Sequence, residues 1–185
     1  MVKQGDKIVN SRTGQTMIFK TTGRESNGAL LEIESFNPVS NEREPVHIYP
    51  KQESSIEVLS GILHVWVNGR EHILAQNQKI VVSAGIPHRF WNEGMEEAHH
   101  IGTFSPALNI AEFFDCFFAL ARDGKLNKKG IPNMFQTSVM GLVYKDAIRL
   151  TSPPWVLQVL LYRILAPIGR LFGYSGQYKS KKPIS

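Results

Sequence analysis

The chain of 185 residues has few of the features that disulfide-stabilised, secreted or membrane-spanning proteins need. A single cysteine, Cys116, excludes an intramolecular disulfide, and its place in the apolar run 113–118 predicts a buried thiol. The N-terminal residues are polar where a signal peptide would be apolar, so we expect no targeting segment and a cytoplasmic protein. The longest charge-free run in the most apolar part of the chain is residues 150–162. It is shorter than the roughly 18 to 20 residues that span a bilayer.

Acidic residues are lacking at one end of the chain. From Ala147 onward there are six basic residues and no acidic ones, although the net charge of the whole chain is only +5. Such a region can contact nucleic acid or anionic lipid. No helix-turn-helix, zinc-finger or aromatic RNA-binding motif accompanies it, so we expect no nucleic-acid partner. We expect residues 175–185 to form a flexible basic tail.

Up to Pro106 the pattern is that of β-strands. Short apolar segments alternate with period two and are interrupted by Gly, Asn and Pro, which favours an antiparallel sandwich or closed barrel. The dipeptide Asn68-Gly69 predicts a hairpin turn between two of them. The predicted strands are 15–21, 29–36, 55–59, 62–67, 79–82 and 99–104.

After Pro106 the period changes to that of helices, which we predict at 110–121, 135–150 and 155–172. Asn109 and Glu112 are spaced as a capping box, and Pro167 is expected to kink or end the last helix. That helix has one continuous apolar stripe, for which packing against the barrel or a partner subunit is expected and contact with a membrane surface is the alternative. The stripe consists of Leu157, Leu160, Leu161, Ile164, Leu165, Ile168, Leu171 and Phe172.

Two segments resemble the paired sequence motifs of the cupin superfamily. Residues 45–61 resemble the first motif, in which two histidines one residue apart are followed by a glutamate and a glycine. Residues 77–92 resemble the second, which contains proline, glycine, histidine and asparagine. The resemblance covers residues 40–106 and implies a mainly β, RmlC-like antiparallel jelly-roll barrel over residues 1–106. A C-terminal α-helical extension over residues 107–174 would follow it.

In metal-dependent cupins three histidines and a glutamate point into the barrel, and here the match is incomplete. His47 and His88 occupy the first and last histidine positions. Tyr49 stands at the second histidine position and Ser54 at the glutamate position. The neighbouring Glu53 is offset by one residue, which on a strand sends its side chain to the opposite face.

One further histidine belongs to the candidate site. By resemblance to similar cupins, His100 should point inward with Gly102 and Phe104. Phe90 shares the parity of His88 and is expected to line the same cavity, either as a ring that stacks on a ligand or as part of the core packing. The hypothesis is a small-molecule site formed by His47, Tyr49, Ser54, His88, Phe90 and His100.

The resemblance leaves more than one function open. The leading expectation is a homodimeric barrel that binds a small-molecule ligand, with an incomplete metal site in which His47 and His88 hold one divalent ion, Zn, Fe, Mn, Ni or Cu. The first alternative is a metal-dependent enzyme of the oxygenase or isomerase type. The second is a peripheral membrane or assembly protein that acts through residues 155–172. No phosphate loop, cysteine pair or nucleophile elbow indicates another chemistry.

Overall fold

The protein, in a computed structural model that describes residues 2–182, is an antiparallel double-sheet barrel followed by helices. One sheet has the order β1-β2-β3-β10-β5-β8 and the other β11-β4-β9-β6-β7. Within residues 2–182 the strands are β1 Lys7–Val9, β2 Thr16–Thr21, β3 Leu31–Asn37, β4 His47–Ile48, β5 Glu53–Ser60, β6 Leu63–Val67, β7 Arg70–Leu74, β8 Lys79–Val82, β9 His88–Trp91, β10 Ala98–Ser105 and β11 Arg149–Leu150.

Strands with a strict apolar alternation lie where the sequence predicts them. In β3 and β10 every second residue is buried, because one face of each strand lies on the core and the other faces solvent. The strands outside the predicted ranges lack that signal: β1, β4 and β11 have two or three residues, β7 is almost wholly exposed, and β9 has no strict alternation.

The helical extension also contributes to a sheet. β11 pairs antiparallel with β4, with Arg149 opposite Ile48 and Leu150 opposite His47. A strand from the extension therefore completes the edge of the second sheet, and backbone hydrogen bonds join the extension to the barrel.

Three helices lie in residues 107–174 of the described chain: α1 Ile110–Arg122, α2 Met134–Val143 and α3 Trp155–Leu171. Helix α1 has the predicted length, but Asn109 makes no capping bond and instead donates its side-chain amide to the carbonyl of Val143. Helix α2 is shorter than predicted because residues 149–150 enter the sheet. Helix α3 continues through Pro167, so it does not end there.

Within the chain, helix α3 packs with a face other than its apolar stripe. Its buried residues are Gln158, Tyr162, Ala166 and Gly169. The close approach to α2 depends on glycine, since a Cβ on Gly141 would meet the ring of Tyr162 at 2.3 Å. The apolar stripe predicted as the packing face is mostly exposed. No helix among residues 2–182 is both long and apolar enough to cross a membrane.

Residues 175–182 differ from the expected flexible tail. The Tyr144 hydroxyl donates to the carbonyl of Gly176 over 2.5 Å, and the Tyr178 and Ser180 hydroxyls donate to the carboxylate of Asp123. These bonds hold the segment against α1 and α2. Residues 183–185, which belong to the same prediction, lie outside the described part of the chain.

The core has two clusters in and around the barrel. The first, here called the strand-only cluster, consists of Val58, Leu63, Val65, Leu74 and Ala98. The second, here called the helix-covered cluster, combines barrel residues with residues of α1 and the following segments. Its members are Val2, Ile8, Met17, Phe19, Leu31, Ile33, Tyr49, Phe104, Ala107, Ile110, Ala111, Phe114, Phe118 and Ala147.

Candidate functional site

Three aromatic side chains meet at the junction of β4 and β9. The two strands pair so that His47 lies opposite His88, and Tyr49 lies two residues beyond His47 on the same side. The ring centroids of His47 and His88 are 4.6 Å apart, as are those of Tyr49 and His88. All three residues are buried. The structure thus brings together three of the predicted site residues.

The backbone fixes which nitrogen of each imidazole carries the proton. His47 Nδ1 lies 3.0 Å from the carbonyl of Pro45, and His88 Nδ1 lies 2.8 Å from the carbonyl of Ile86. A carbonyl only accepts, so each Nδ1 donates and each neutral ring keeps a lone pair on Nε2. The Tyr49 hydroxyl lies 3.2 Å from His47 Nε2 and donates to it. His88 Nε2 is buried with no hydrogen-bond partner among residues 2–182.

Burial keeps these groups neutral. It lowers the pKa of His47 from 6.5 to about 3, with a further contribution from His88, and it lowers the pKa of His88 as well. Burial also raises the pKa of the Tyr49 phenol, and the carboxyl group of Glu44 adds to that effect. The site is therefore an uncharged set of two imidazoles and a phenol at neutral pH.

A cavity of about 120 Å³ lies between this set and the helical extension. His47, Tyr49 and Phe90 form part of its wall on the barrel side. Its other walls come from α1, the 130–132 turn, α2, β11 and α3, and they are predominantly aromatic and aliphatic. The helix-side residues are Phe113, Phe114, Phe117, Phe118, Gly130, Ile131, Pro132, Thr137, Met140, Gly141, Tyr144, Ile148, Arg149, Leu150, Trp155, Gln158 and Tyr162.

An acidic residue, Glu44, lies at the barrel side of the cavity. Burial raises the pKa of its carboxyl from 4.5 to about 7, while the positive charge of Arg12 acts in the opposite direction. A carboxyl group with such a pKa can give or take a proton near neutral pH. Sequence reasoning missed Glu44, because it precedes β4 in a loop and belongs to neither motif.

Three of the predicted site residues are not part of the cavity wall. Ser54 is buried in β5 opposite Phe104 and Val82, and His88 packs against the rings of His47 and Tyr49. Neither residue lines the cavity. His100 points inward as expected but is also outside the wall. It is four residues, about 13 Å along an extended strand, from Phe104, whose ring contacts Tyr49.

His100 instead has its own buried environment. The side-chain amide of Asn37 lies 3.1 Å from its Nδ1, and its ring packs against Phe90 at 5.7 Å. The expected gathering of three histidines in one cavity with Tyr49 therefore does not occur. Glu53 is exposed at the start of β5, in agreement with the strand parity argument.

The residues present do not fit the metal set of the metal-dependent cupins. His47 and His88 each offer a lone pair, but Tyr49 and Ser54 replace the second histidine and the glutamate. The phenol proton of Tyr49 is directed at His47 Nε2, one of the two available nitrogens. Across residues 2–182, no three His, Cys, Asp or Glu side chains are grouped closely enough to hold a metal ion.

The double-sheet barrel and its helical C-terminal part define a mainly β jelly-roll protein. Residues 38–103 match the family model of the cupin domain. The fold is also similar to that of KdgF from Halomonas sp., which is 13% identical, with 60% of this chain and 96% of that chain covered and a TM-score of 0.50. Residues 38–103 therefore contain a cupin domain, so the predicted resemblance to the cupin superfamily is confirmed over that part of the chain, and the predicted fold class is confirmed.

Two curated relatives carry the name oxidoreductase. One, from Arthrobotrys oligospora, is 24% identical over 87% of this chain and 60% of its own length. The other, named "Probable oxidoreductase virH", from Hypocrea virens, is 26% identical over 72% of this chain and 65% of its own length. The chain thus spans less than two thirds of each relative.

Proposed function

We propose that the protein binds a small, mainly aromatic molecule in the cavity between the barrel and the helical extension. The observation that carries the proposal is the asymmetry of the cavity. Its helix side is formed mostly by rings and aliphatic side chains, and its barrel side presents the polar groups of Glu44, His47 and Tyr49 beside Met17 and Phe90. An apolar pocket with a few convergent polar groups is the usual form of a small-molecule site.

The polar side would select a ligand with one hydrogen-bonding group. The Tyr49 oxygen donates its proton to His47 and keeps lone pairs, so it can accept from a ligand hydroxyl. Glu44 can accept from or donate to the same group, because its pKa is close to neutral pH. A ring bearing one hydroxyl group is the simplest molecule that satisfies both sides.

The proposal can be tested with 2-naphthol as the probe, by isothermal titration calorimetry. We expect binding to the wild-type protein and little or none to Met140→Trp, because the larger side chain occupies the cavity. The matched control is Met95→Trp, the same change at an exposed position, which should bind as the wild type does. Equal binding by the wild type and Met140→Trp would refute the proposal.

A second variant tests the polar side of the cavity. Tyr49→Phe removes one hydroxyl and leaves the ring, so we expect affinity for 2-naphthol to fall by about three- to tenfold. Naphthalene, which has no hydroxyl group, should bind both proteins alike. A loss of naphthalene binding would indicate that the variant changed the shape of the cavity.

A metal-dependent enzyme, of the oxygenase or isomerase type, is the second candidate function. The observation in its favour is that both Nδ1 atoms donate to backbone carbonyls, which is how metal-binding imidazoles are oriented. The names of the two relatives agree with an enzyme. Elemental analysis of tag-free protein tests it: near-stoichiometric metal that is lost in both His47→Ala and His88→Ala would favour this candidate, and metal-free protein after loading would exclude it.

A further inference from the structure

The outer face of α3 is apolar and exposed. Leu157, Leu160, Leu161, Ile164 and Ile168 recur at intervals of three and four residues and so lie along one side of the helix. Leu160 is 58% exposed and Ile164 is 56% exposed. The residues of this face, 157–168, extend for about 17 Å along the helix. Contiguous apolar surface of this kind marks an interaction site rather than ordinary solvent exposure.

The inner face of the same helix already has its partner. Gly169 lies close to Phe135 and Val139 of α2, and Tyr162 fills the space over Gly141. The Tyr162 hydroxyl donates to Gln158 Oε1 over 2.9 Å, and the Gln158 amide donates to the carbonyl of Leu150 over 2.9 Å. These contacts fix the rotation of the helix about its axis, so the outer face cannot turn inward without breaking them.

The charges beside the apolar face are of one sign. Arg163 and Arg170 are exposed and lie along one flank of it. The chain has no acidic residue from Ala147 to its last residue, Ser185. Long arginine side chains at the edge of an apolar helix face can reach lipid phosphates while the face itself enters the acyl region.

We propose that the outer face of α3 binds the surface of an anionic membrane, with the helix axis parallel to the bilayer. The argument is charge complementarity: an apolar face with two arginines and no carboxylate matches a surface of negative headgroups over acyl chains. A second copy of the chain is a poorer match, because α3 offers no carboxylate to pair with the arginines of its copy. The proposal does not depend on the ligand proposed for the cavity.

Flotation of the full chain with vesicles tests the proposal. The vesicles are of phosphatidylcholine alone or of phosphatidylcholine and phosphatidylserine in about equal parts. We expect the wild type to float with the mixed vesicles, and Leu160→Glu to lose about tenfold or more in partitioning. The matched control is Ile73→Glu on β7, where the native residue is 59% exposed, and it should float as the wild type does.

Two further measurements separate the possible occupants of the face. Replacing Arg163 and Arg170 by glutamine should lower binding to mixed vesicles by about fivefold for each arginine and leave binding to phosphatidylcholine unchanged. Leu157→Glu, at a residue of the same face that is 47% exposed, repeats the apolar test if Leu160→Glu does not fold.

Either of two results would overturn the proposal. The first is that the wild type stays with the unbound protein for both vesicle types. The second is that light scattering shows a wild-type dimer which Leu160→Glu converts to a monomer, while flotation is the same for both. In that case the face is an interface between copies of the chain.

Discussion

The two core clusters in and around the barrel are completed by different elements. The strand-only cluster is filled by aliphatic side chains from the barrel itself, and Leu63 and Val65 in it have no exposed surface. The helix-covered cluster needs side chains from α1 to be complete, and its Tyr49 and Phe114 also border the cavity. We infer that the strand-only cluster contributes mainly to stability. The part of the barrel that the helical extension covers provides the space for a ligand.

The largest expected effect is on stability alone, in the strand-only cluster. Leu63→Ala should lower the free energy of unfolding by about 3 kcal/mol, because it removes a fully buried side chain and leaves a cavity. Urea unfolding measures this change. Affinity for 2-naphthol should be that of the wild type, and weaker binding by the folded variant would show that the two clusters are not independent.

A change between α2 and α3 should affect both stability and binding. In Gly141→Ala the new Cβ would meet the ring of Tyr162 at 2.3 Å, so the ring or the helix must move. We expect a loss of about 2 kcal/mol in the free energy of unfolding. Affinity for 2-naphthol should fall as well, because Tyr162 is part of the cavity wall.

The matched control is Gly102→Ala in β10, on the barrel side. There the nearest atom to the new Cβ is 3.9 Å away, an ordinary contact. This variant should change neither property by a comparable amount. If the two variants behave alike, the close approach of α2 and α3 does not shape the cavity.

His100, a buried histidine outside the cavity, should make the free energy of unfolding depend on pH. Burial holds the pKa of His100 at about 3, against an ordinary value of 6.5. Between these values the unfolded chain binds a proton that the folded chain does not, so the free energy of unfolding falls as the pH decreases. From pH 7 to pH 5 the wild type should lose about 2 kcal/mol more than His100→Asn.

Urea unfolding of both proteins at the two pH values measures that difference. Like His100, His47 lowers the free energy of unfolding as the pH decreases, because its pKa is lowered to about 3. Glu44 has the opposite effect, because its pKa is raised to about 7. Both residues are present in wild type and variant, so the difference isolates His100. Parallel pH dependences would show that the His100 imidazole is protonated within the folded protein.

Much of the barrel could be predicted from the sequence, for a clear physical reason. Alternation of period two is strong in β3 and β10, where one face is buried. The two motifs identify His47 and His88 as site residues. Short strands such as β4 and β11 carry no such signal, because they depend on pairing partners distant in the chain. The predicted bounds of helix α3 agree with the observed ones to within one residue. The face with which it packs inside the chain was not predicted.

The apolar stripe of α3 was expected to pack on the barrel or on a partner subunit, because the most apolar side of a helix usually packs inward. Within this chain it does not pack on the barrel, and the partner alternative stays a prediction. Here close approach to α2, through Gly141 and Gly169, selected a face with small and polar residues instead. The cavity was likewise only half predictable. Its barrel side lies at motif positions, whereas Glu44 and the aromatic residues of the helices are brought there by tertiary packing, which no local pattern encodes.

The smallest expected effect comes from two similar cation–π pairs, one at the cavity and one on the barrel. The Arg149 guanidinium lies 4.0 Å from the ring centre of Trp155 in the cavity wall, and that of Arg43 lies 4.4 Å from the ring centre of Trp91. Each arginine also has an acidic neighbour, Asp146 or Glu93.

Changing either arginine to glutamine should therefore lower the free energy of unfolding by about 1 kcal/mol or less, measured by urea unfolding. Only Arg149→Gln should also weaken 2-naphthol binding, by about threefold, because Trp155 is then less well held in the cavity wall. If Arg43→Gln weakens 2-naphthol binding equally, a change on the barrel alone affects the cavity. The inference that the two clusters contribute separately to stability and to binding would then be wrong.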